Sequence, residues 1–380
     1  MQRTLQTKRR VRKSVTRVST AHQPVKSRIV SLDQFRGYTV AGMLLVNFIG
    51  GFQVVGAIWK HHNTYCSYAD TIMPQFFFAV GFALRLTFLR RLKTLGVWPA
   101  TRAAVARNLG LILLGFVIYH LDGQVKSWEE LQHLGLRGFL AQAFSRELFQ
   151  TLVHIALASL WVLPVIAAGT TTRVAFLIAS AALHLALSRW FYFQYAWGLP
   201  VIDGGPLGFL TWSIPLLVGS LADDVVAGNP GESNRSNPVP RLLGGSIVLM
   251  GMGYMLSCLG GSYAPPPFVE PAEGIADLWT MSQRTGSVSY QTFGAGFSLA
   301  VYALFVLLCD LGSLRVGFFR TFGQNALAAY IVHSMVADAV KPYMPGDSPL
   351  WYVAAGFLLY FAICYLLIRY LEKNAIFLRL

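Results

Sequence analysis

Apolar residues in this chain fall in long, nearly unbroken blocks, not in the short alternating runs of strands or the one-sided stripes of soluble helices. A bilayer crossing needs about 20 largely apolar residues. By that measure the chain offers ten spans: Tyr38–Ile58, Thr71–Leu89, Ala103–His120, Leu148–Ala168, Val174–Phe193, Leu207–Val226, Leu242–Leu259, Thr292–Leu311, Phe322–Val340 and Leu350–Leu371. The fold class this predicts is all-α, a polytopic transmembrane helical bundle of about ten spans. The sixth and ninth blocks are the least apolar, because one holds Asp223 and Asp224 and the other His333 and Asp338. Gly138–Glu147 reads as an interfacial helix leading into the fourth span. Pro265, Pro266, Pro267 and Pro271 make the loop 262–289 rigid and extended. Neither a solenoid repeat nor a pair of inverted halves is visible.

Composition explains why the blocks cannot be soluble cores. Only 13% of the 380 residues are charged, against 54% hydrophobic, and mean hydropathy is +0.50. A soluble domain of this size needs roughly a quarter of its residues charged. A soluble enzyme, a disulfide scaffold and a disordered chain are therefore excluded.

The charge that is present is lopsided, with 31 Lys and Arg against 17 Asp and Glu, a net +14. With ten spans and an inner N-terminus, 24 of the 31 cations fall on the inner side and 7 on the outer. That skew predicts both termini in the cytoplasm and the cell membrane as the location. Most of the positive excess is thus topological, and nucleic acid is not an expected partner. Residues 1–30 read as a basic, disordered cytoplasmic tail without the apolar stretch of a cleavable signal peptide. The domain proper covers 31–372, and 373–380 form a cytoplasmic end. Four cysteines lack metal-ligand spacing, so no metal is expected. Cys66 and Cys258 fall toward the same side and are expected as free thiols.

Polar groups at membrane depth are costly and mark candidate sites. Asp33 and Arg36 stand at the inner entrance of the first span, and Asn47 lies ~15 Å further along it, at 1.5 Å per residue. The loop Trp59–Tyr68 then offers His61 and His62, and Asp70 opens the second span, with Pro74 one turn on. Imidazole is the usual general base near neutral pH, and a carboxylate neighbour orients and strengthens it. Each group also has an ordinary structural role: Asn47 as interhelical glue, Asp70 as a helix cap, the histidines as headgroup-level loop residues. His333 and Asp338 are five residues apart, so they do not share a helix face; Ser282, Asn325 and His333 remain candidates for lining a polar path.

These residues carry a resemblance. Leu32-Asp33, Phe35-Arg36-Gly37, Val46-Asn47, the loop histidine, Asp70, Pro74, Phe76-Phe77-Phe78 and Gly81 resemble the opening hairpin of the heparan-alpha-glucosaminide N-acetyltransferase family of membrane acyltransferases. Fainter echoes follow in order at Asp203-Gly204-Gly205-Pro206-Leu207-Gly208, Trp279-Thr280-Met281-Ser282 and Gly323-Gln324-Asn325-Ala326 with Tyr330, so the likeness covers about residues 31–340. The family's loop has one histidine followed by tryptophan, whereas this chain has two, with Tyr65 in the tryptophan's place. Aligning Tyr65 with the tryptophan favours His62; counting from Asp70 or Lys60 favours His61. The reading leans to His62 and keeps both.

What the resemblance implies is acyl transfer across the membrane. Acetyl-CoA is the expected co-substrate, entering from the cytoplasm with its phosphates near the basic inner rim. Arg36, Arg85 and Arg90, with Asp33 beside them, are the expected cofactor-binding residues, and Arg91, Arg102 and Arg107 extend the rim. His62 or His61 would act as general base or transient acetyl carrier, Asp70 would orient it, and Asn47 would donate to the thioester oxygen. The expected acceptor is an amino sugar, a cell-envelope glycan or a lipid-linked saccharide on the outer face. A homodimer is compatible with the sequence. A transporter or flippase, with Asp33, Arg36, Asn47 and Asp70 along its path, is the rival reading; a non-catalytic module that binds an acyl carrier or lipid is a third.

Overall fold

The computed structural model describes residues 29–120, 125, 127–145, 148–199, 203–227, 237–260, 264–271 and 276–378. The basic tail expected at 1–30 lies, up to residue 28, outside the described residues. Helices take 76% of the described residues, and no strand occurs among them. In chain order they are α1 Val30–Ile49, α2 Tyr68–Leu95, α3 Val97–His120, α4 Trp128–Ser145, α5 Thr151–Val162, α6 Thr170–Leu187, α7 Phe193–Trp197, α8 Phe209–Ala227, α9 Val239–Ser257, α10 Val288–Phe305, α11 Gly317–Gln324, α12 Ala326–Val340 and α13 Leu350–Lys373.

Seven of these elements are long and apolar enough to cross a membrane: α2, α3, α6 running on into α7, α8, α9, α10 with its π-helical extension, and α13. They coincide with seven of the ten predicted spans. Burial sorts them into two groups. Within their most apolar 18 residues, α2, α8 and α10 are 61%, 72% and 67% buried, whereas α3, α9 and α13 are 22% and α6–α7 only 11%. The first three form a central layer. The others turn Leu109, Leu113, Ile178, Trp190, Ile247, Leu358 and Leu366 outward. Apolar faces of that extent suit lipid rather than water.

The three remaining blocks differ from the predicted spans, each for a local reason. The first helix starts at Val30, eight residues before the apolar block, because its polar start is satisfied by protein. Ser31 donates from its main-chain N–H (3.1 Å) and hydroxyl (2.5 Å) to the Asp310 carboxylate. Gln34 exchanges hydrogen bonds with the main chain of Val316. The same helix ends at Ile49, capped by Gly50, and not at Ile58. Next, the fourth block contains a helix of only 12 residues, α5, and then turns, with the carbonyls of Ile166 and Ala168 accepting from the Arg85 guanidinium at 2.5 and 3.3 Å. The ninth block is split at Asn325, whose backbone leaves helical geometry between α11 and α12. The lead-in helix expected at Gly138–Glu147 is the later part of a longer one, α4, kinked at Gly135.

Glycine sets how closely the central helices approach. A Cβ at Gly81 of α2 would sit 1.7 Å from the Leu216 carbonyl oxygen of α8, and one at Gly219 would sit 2.0 Å from that of Phe78. The pair α1 and α11 repeats the device, with Gly37 against Phe319 and Gly323 against Asp33. Backbone-to-backbone contact of this kind is how helices associate where no hydrophobic driving force separates them from lipid. It also gives Gly37, Gly81 and Gly323 of the sequence resemblance a packing role.

Candidate active site

The site forms where the loop after α1 returns into α2. Ser67 caps α2, its hydroxyl accepting from the Asp70 N–H at 3.3 Å. In return the Asp70 carboxylate accepts the Ser67 N–H at 2.9 Å, a reciprocal capping box. Asp70 is therefore the cap that the sequence allowed, yet capping uses only part of its carboxylate. Its other oxygen meets His61 Nδ1 at 2.8 Å, and the His62 main-chain N–H approaches at 3.4 Å. The carboxylate is 1% exposed, so a fully buried acceptor is surrounded by donors.

Pro74 shapes the same spot from below. Proline has no N–H, so the Asp70 carbonyl four residues earlier loses its helical partner. The Tyr290 hydroxyl of α10 donates to that carbonyl at 2.7 Å. Gly294, one turn along α10, makes the approach feasible, because a Cβ there would lie 2.6 Å from the Pro74 ring. The aspartate–proline spacing in the sequence is thus a docking point between α2 and α10.

Of the two histidines, His61 is the one paired with Asp70. An ionised carboxylate only accepts, so Nδ1 carries the proton and Nε2 keeps its lone pair in the neutral ring. The His61 side chain is 35% exposed and lines a cavity of about 430 Å³ with Val46, Asn47, Gly50, Gly51, Lys60 and His62. Burial pulls the His61 imidazole pKa down, but the hydrogen bond and charge of Asp70 and the charge of Asp203 outweigh it, and the net shift is upward. His62 is used differently. Its Nε2 bonds the Ala57 carbonyl at 2.8 Å and its ring stacks on Tyr65, centroids 4.3 Å apart. The geometry separates the two: the Asp70 carboxylate goes to His61, whereas His62, toward which the sequence reading leans, stacks on Tyr65.

Asn47 reaches the same cavity from the end of α1, and its main-chain carbonyl accepts from Lys341 Nζ at 2.8 Å. Two later segments converge on Asp70 as well. Gln283 places Oε1 3.3 Å from the Tyr290 hydroxyl and donates from Nε2 to Asp203 at 2.8 Å. Asp203 stands in the loop before α8, and burial pushes its carboxyl up to about 6, against the opposing pull of the Gln283 hydrogen bond and the His61 charge. Asp203, Gln283, Tyr290 and Ser67 were not picked out as site residues by sequence. The usable signal was the order of the faint echoes, since two of them, around Asp203 and Ser282, end at this site.

Other candidates lie elsewhere. Ser282 is buried beside Gln283, its main-chain N–H held by Ser287 Oγ at 3.1 Å. The Asn325 amide donates to the Ile376 carbonyl (2.7 Å) and its oxygen accepts from the Leu378 N–H (3.0 Å), pinning the C-terminal segment at the far end of α1 from Asn47. The His333 ring turns back onto the Tyr330 carbonyl of its own helix.

Arg85, expected among the cofactor-binding residues, is engaged within the protein. It is buried and bound to Asp224 at 2.6 Å, and the fully buried Arg173 reaches the same carboxylate, so this cation is spent inside the protein. At the same end of the bundle, Arg36 of α1 and Arg91 of α2 stand close enough to Arg107 of α3 for their charges to act on it. Asp33 and Arg90 lie on α1 and α2 toward that end too. The four cysteines are free, Cys66 and Cys258 included. Among the described residues no three His, Cys, Asp or Glu side chains converge as a metal-ligand set. No protein-family model and no curated protein matches the chain, so its site is read from its own chemistry.

Proposed function

We propose that this protein is a membrane-embedded acyltransferase that moves an acyl group, most simply acetyl, from cytoplasmic acyl-CoA to an amino sugar or related glycan on the opposite face. The observation that carries the reading is the His61–Asp70 pair, 2.8 Å apart, with its imidazole on a cavity of about 430 Å³ shared with Asn47. That volume suits a small polar acceptor. In this reading α1, α5 and α11–α12 count as crossings beside the seven long apolar helices, giving ten with both termini in the cytoplasm, an arrangement that sorts the cations 24 to 7.

The chemistry follows from the geometry. His61 Nε2 takes the proton of the acceptor amine or hydroxyl as its nitrogen or oxygen attacks the thioester carbonyl. Charge gathers on the carbonyl oxygen, which the Asn47 amide stabilises. The C–S bond breaks, and the CoA thiolate leaves with the proton from the imidazolium, which Asp70 has held in place. Arg36 and Asn47 are eleven residues apart on α1, ~16 Å at 1.5 Å per residue, which one extended pantetheine arm bridges. The basic group of Arg36, Arg91 and Arg107 then serves the phosphates.

The test is CoA release from acetyl-CoA by the purified full-length protein in detergent or nanodiscs, with glucosamine as acceptor. The expected result is acceptor-dependent release that His61→Ala abolishes and His62→Ala only reduces. Release at background in the wild type, with uptake of a solute by proteoliposomes, would replace the reading with a transporter.

A further inference from the structure

The cations expected along the inner rim do not all face the same way. Between Asp70 and Asp122 the sequence holds Arg85, Arg90, Arg91, Lys93, Arg102 and Arg107, and no Asp or Glu. Asp224 of α8 meets Arg85. The others lie toward the tip of the hairpin that α2 and α3 form, which has no carboxylate of its own there to offset them. At the tip Gly96 turns the chain with φ of +85°, in the left-handed region that favours glycine, and its N–H donates to the Leu92 carbonyl at 3.2 Å. Beside it Leu95, Val97 and Trp98 are 60%, 68% and 76% exposed. Large apolar side chains interleaved with cations fit neither water nor hydrocarbon alone. They fit the headgroup layer, where the apolar parts enter the acyl boundary and the cations meet phosphate.

The helix α3 divides its own arginines. Arg102 and Arg107 are five residues apart, so at about 100° per residue they leave the helix roughly 140° apart. Arg107 is half-buried and donates to the Asn108 side-chain oxygen at 3.2 Å, whereas Arg102 is exposed. Arg102 lies in a groove of about 310 Å³ with Trp98, Thr101, Val105, Ala106 and Leu109. These six recur at spacings of three and four and share one face of α3. From Trp98 to Leu109 the groove runs eleven residues, ~16 Å at 1.5 Å per residue. One leaflet's hydrocarbon is ~15 Å deep, half of a bilayer core, so the groove is one acyl chain long.

We propose that this groove binds one anionic phospholipid of the leaflet at the hairpin tip. Its phosphate sits by the Arg102 guanidinium and the Thr101 hydroxyl, and one acyl chain lies along Val105, Ala106 and Leu109. A guanidinium offers paired donors to phosphate oxygens, and Trp98 supplies an aromatic anchor at headgroup level. A net negative headgroup is favoured over a zwitterionic one, because the hairpin tip has no carboxylate to answer a choline while its other cations attract the anion. The site does not depend on the acyl-transfer reading.

Native mass spectrometry of the full-length protein in mild detergent, titrated with phosphatidylglycerol or with phosphatidylcholine of the same chains, reads the site. The expected result is one retained phosphatidylglycerol, with an apparent Kd roughly fivefold or more below that of phosphatidylcholine. Arg102→Gln should remove about fivefold of that preference, the usual worth of one cation at an anionic leaflet. Ala106→Trp fills the groove and should weaken both lipids by a similar factor. Arg102 and Ala106 are both exposed, so the unfolding temperature should hold in each variant. Arg241→Gln removes an exposed cation at the start of α9 and should leave the preference unchanged. Equal binding of the two lipids, an equal loss of preference in Arg241→Gln, or binding insensitive to Ala106→Trp overturns the proposal. Displacement of the lipid by free coenzyme A would assign Arg102 to the acyl-CoA phosphates and overturn it too, whereas a lipid that stays bound supports it.

Discussion

Replacing Asp70 with asparagine separates the two roles of this residue, cap and orienting partner. The carboxylate meets His61 Nδ1 (2.8 Å), the Ser67 N–H (2.9 Å) and the His62 N–H (3.4 Å). An amide of the same shape offers one acceptor oxygen and one NH2, so either the cap or the histidine faces a donor. A hydrogen bond to a charged group contributes about 1.5–3 kcal/mol, and an N-cap about 0.5–2 kcal/mol. Because one of the two survives, the expected stability loss for Asp70→Asn is about 1–3 kcal/mol. Ser67→Ala is the matched control. It removes the capping hydroxyl at about 1 kcal/mol and leaves the His61–Asp70 bond in place. Turnover separates them: Asp70→Asn should lose roughly 10²–10⁴-fold in kcat, the usual worth of general base catalysis, and Ser67→Ala less than about threefold.

The pH dependence has a definite sign. The folded pKa of His61 is raised above the ordinary 6.5. A base works when neutral, so kcat/KM should rise with pH through a midpoint above 6.5, and Asp70→Asn should move that limb toward acid. In stability terms, a raised histidine pKa adds stability that is complete below the unfolded value and is lost as pH rises through the folded one. The gap between wild type and Asp70→Asn should narrow over that window. Stability by detergent-phase thermal unfolding and CoA release by thiol assay check both. Equal kinetic losses in the two variants, with no movement of the limb, would refute the reasoning and reduce Asp70 to a cap.

Three further outcomes are expected. Tyr290→Phe leaves the Asp70 carbonyl without a partner and should destabilise by about 1–3 kcal/mol; adding Pro74→Ala supplies an N–H in the helix and should recover part of that loss in thermal unfolding. Gly81→Ala places a methyl group 1.7 Å from the Leu216 carbonyl oxygen, so α2 and α8 must separate; the check is a fall in folded yield and unfolding temperature greater than for Gly51→Ala, which has open space. Arg85→Met should destabilise, toward the low end of the 3–5 kcal/mol for breaking a buried pair because Asp224 is 34% exposed, while leaving the acyl-CoA KM within about twofold. Arg91→Gln should do the reverse, raising that KM with little effect on unfolding.

Much of the helical layout was legible because lipid leaves a strong compositional trace. Seven blocks became long helices with ends within about six residues of expectation. The failures occur where polar groups are satisfied inside the protein. A hydropathy reading excludes Ser31 and Gln34 from a span, yet their partners Asp310 and Val316 on distant segments let α1 begin there. It likewise cannot see that Arg85 claims the carbonyls after α5, or that Asn325 breaks a helix to hold the C-terminal segment. The candidate site was half legible. Asn47, His61, His62 and Asp70 lie in 24 consecutive residues, so one hairpin brings them together. The choice between the histidines could not be read, since adjacent residues in a loop point in unrelated directions.

By itself, then, the sequence determined that this protein is helical, apolar and lopsided in charge, and that its reactive groups cluster on the first hairpin. Those properties are local or compositional, and each is written in contiguous residues. Only the tertiary structure decided which histidine meets Asp70, that Arg85 neutralises Asp224, and that Asp203, Gln283 and Tyr290 join the site from 130 to 220 residues away. Such pairings depend on how α2, α8 and α10 cross. The crossing is set by glycines and one proline whose effect is a matter of steric distance, and distance between remote segments is not written in the order of residues.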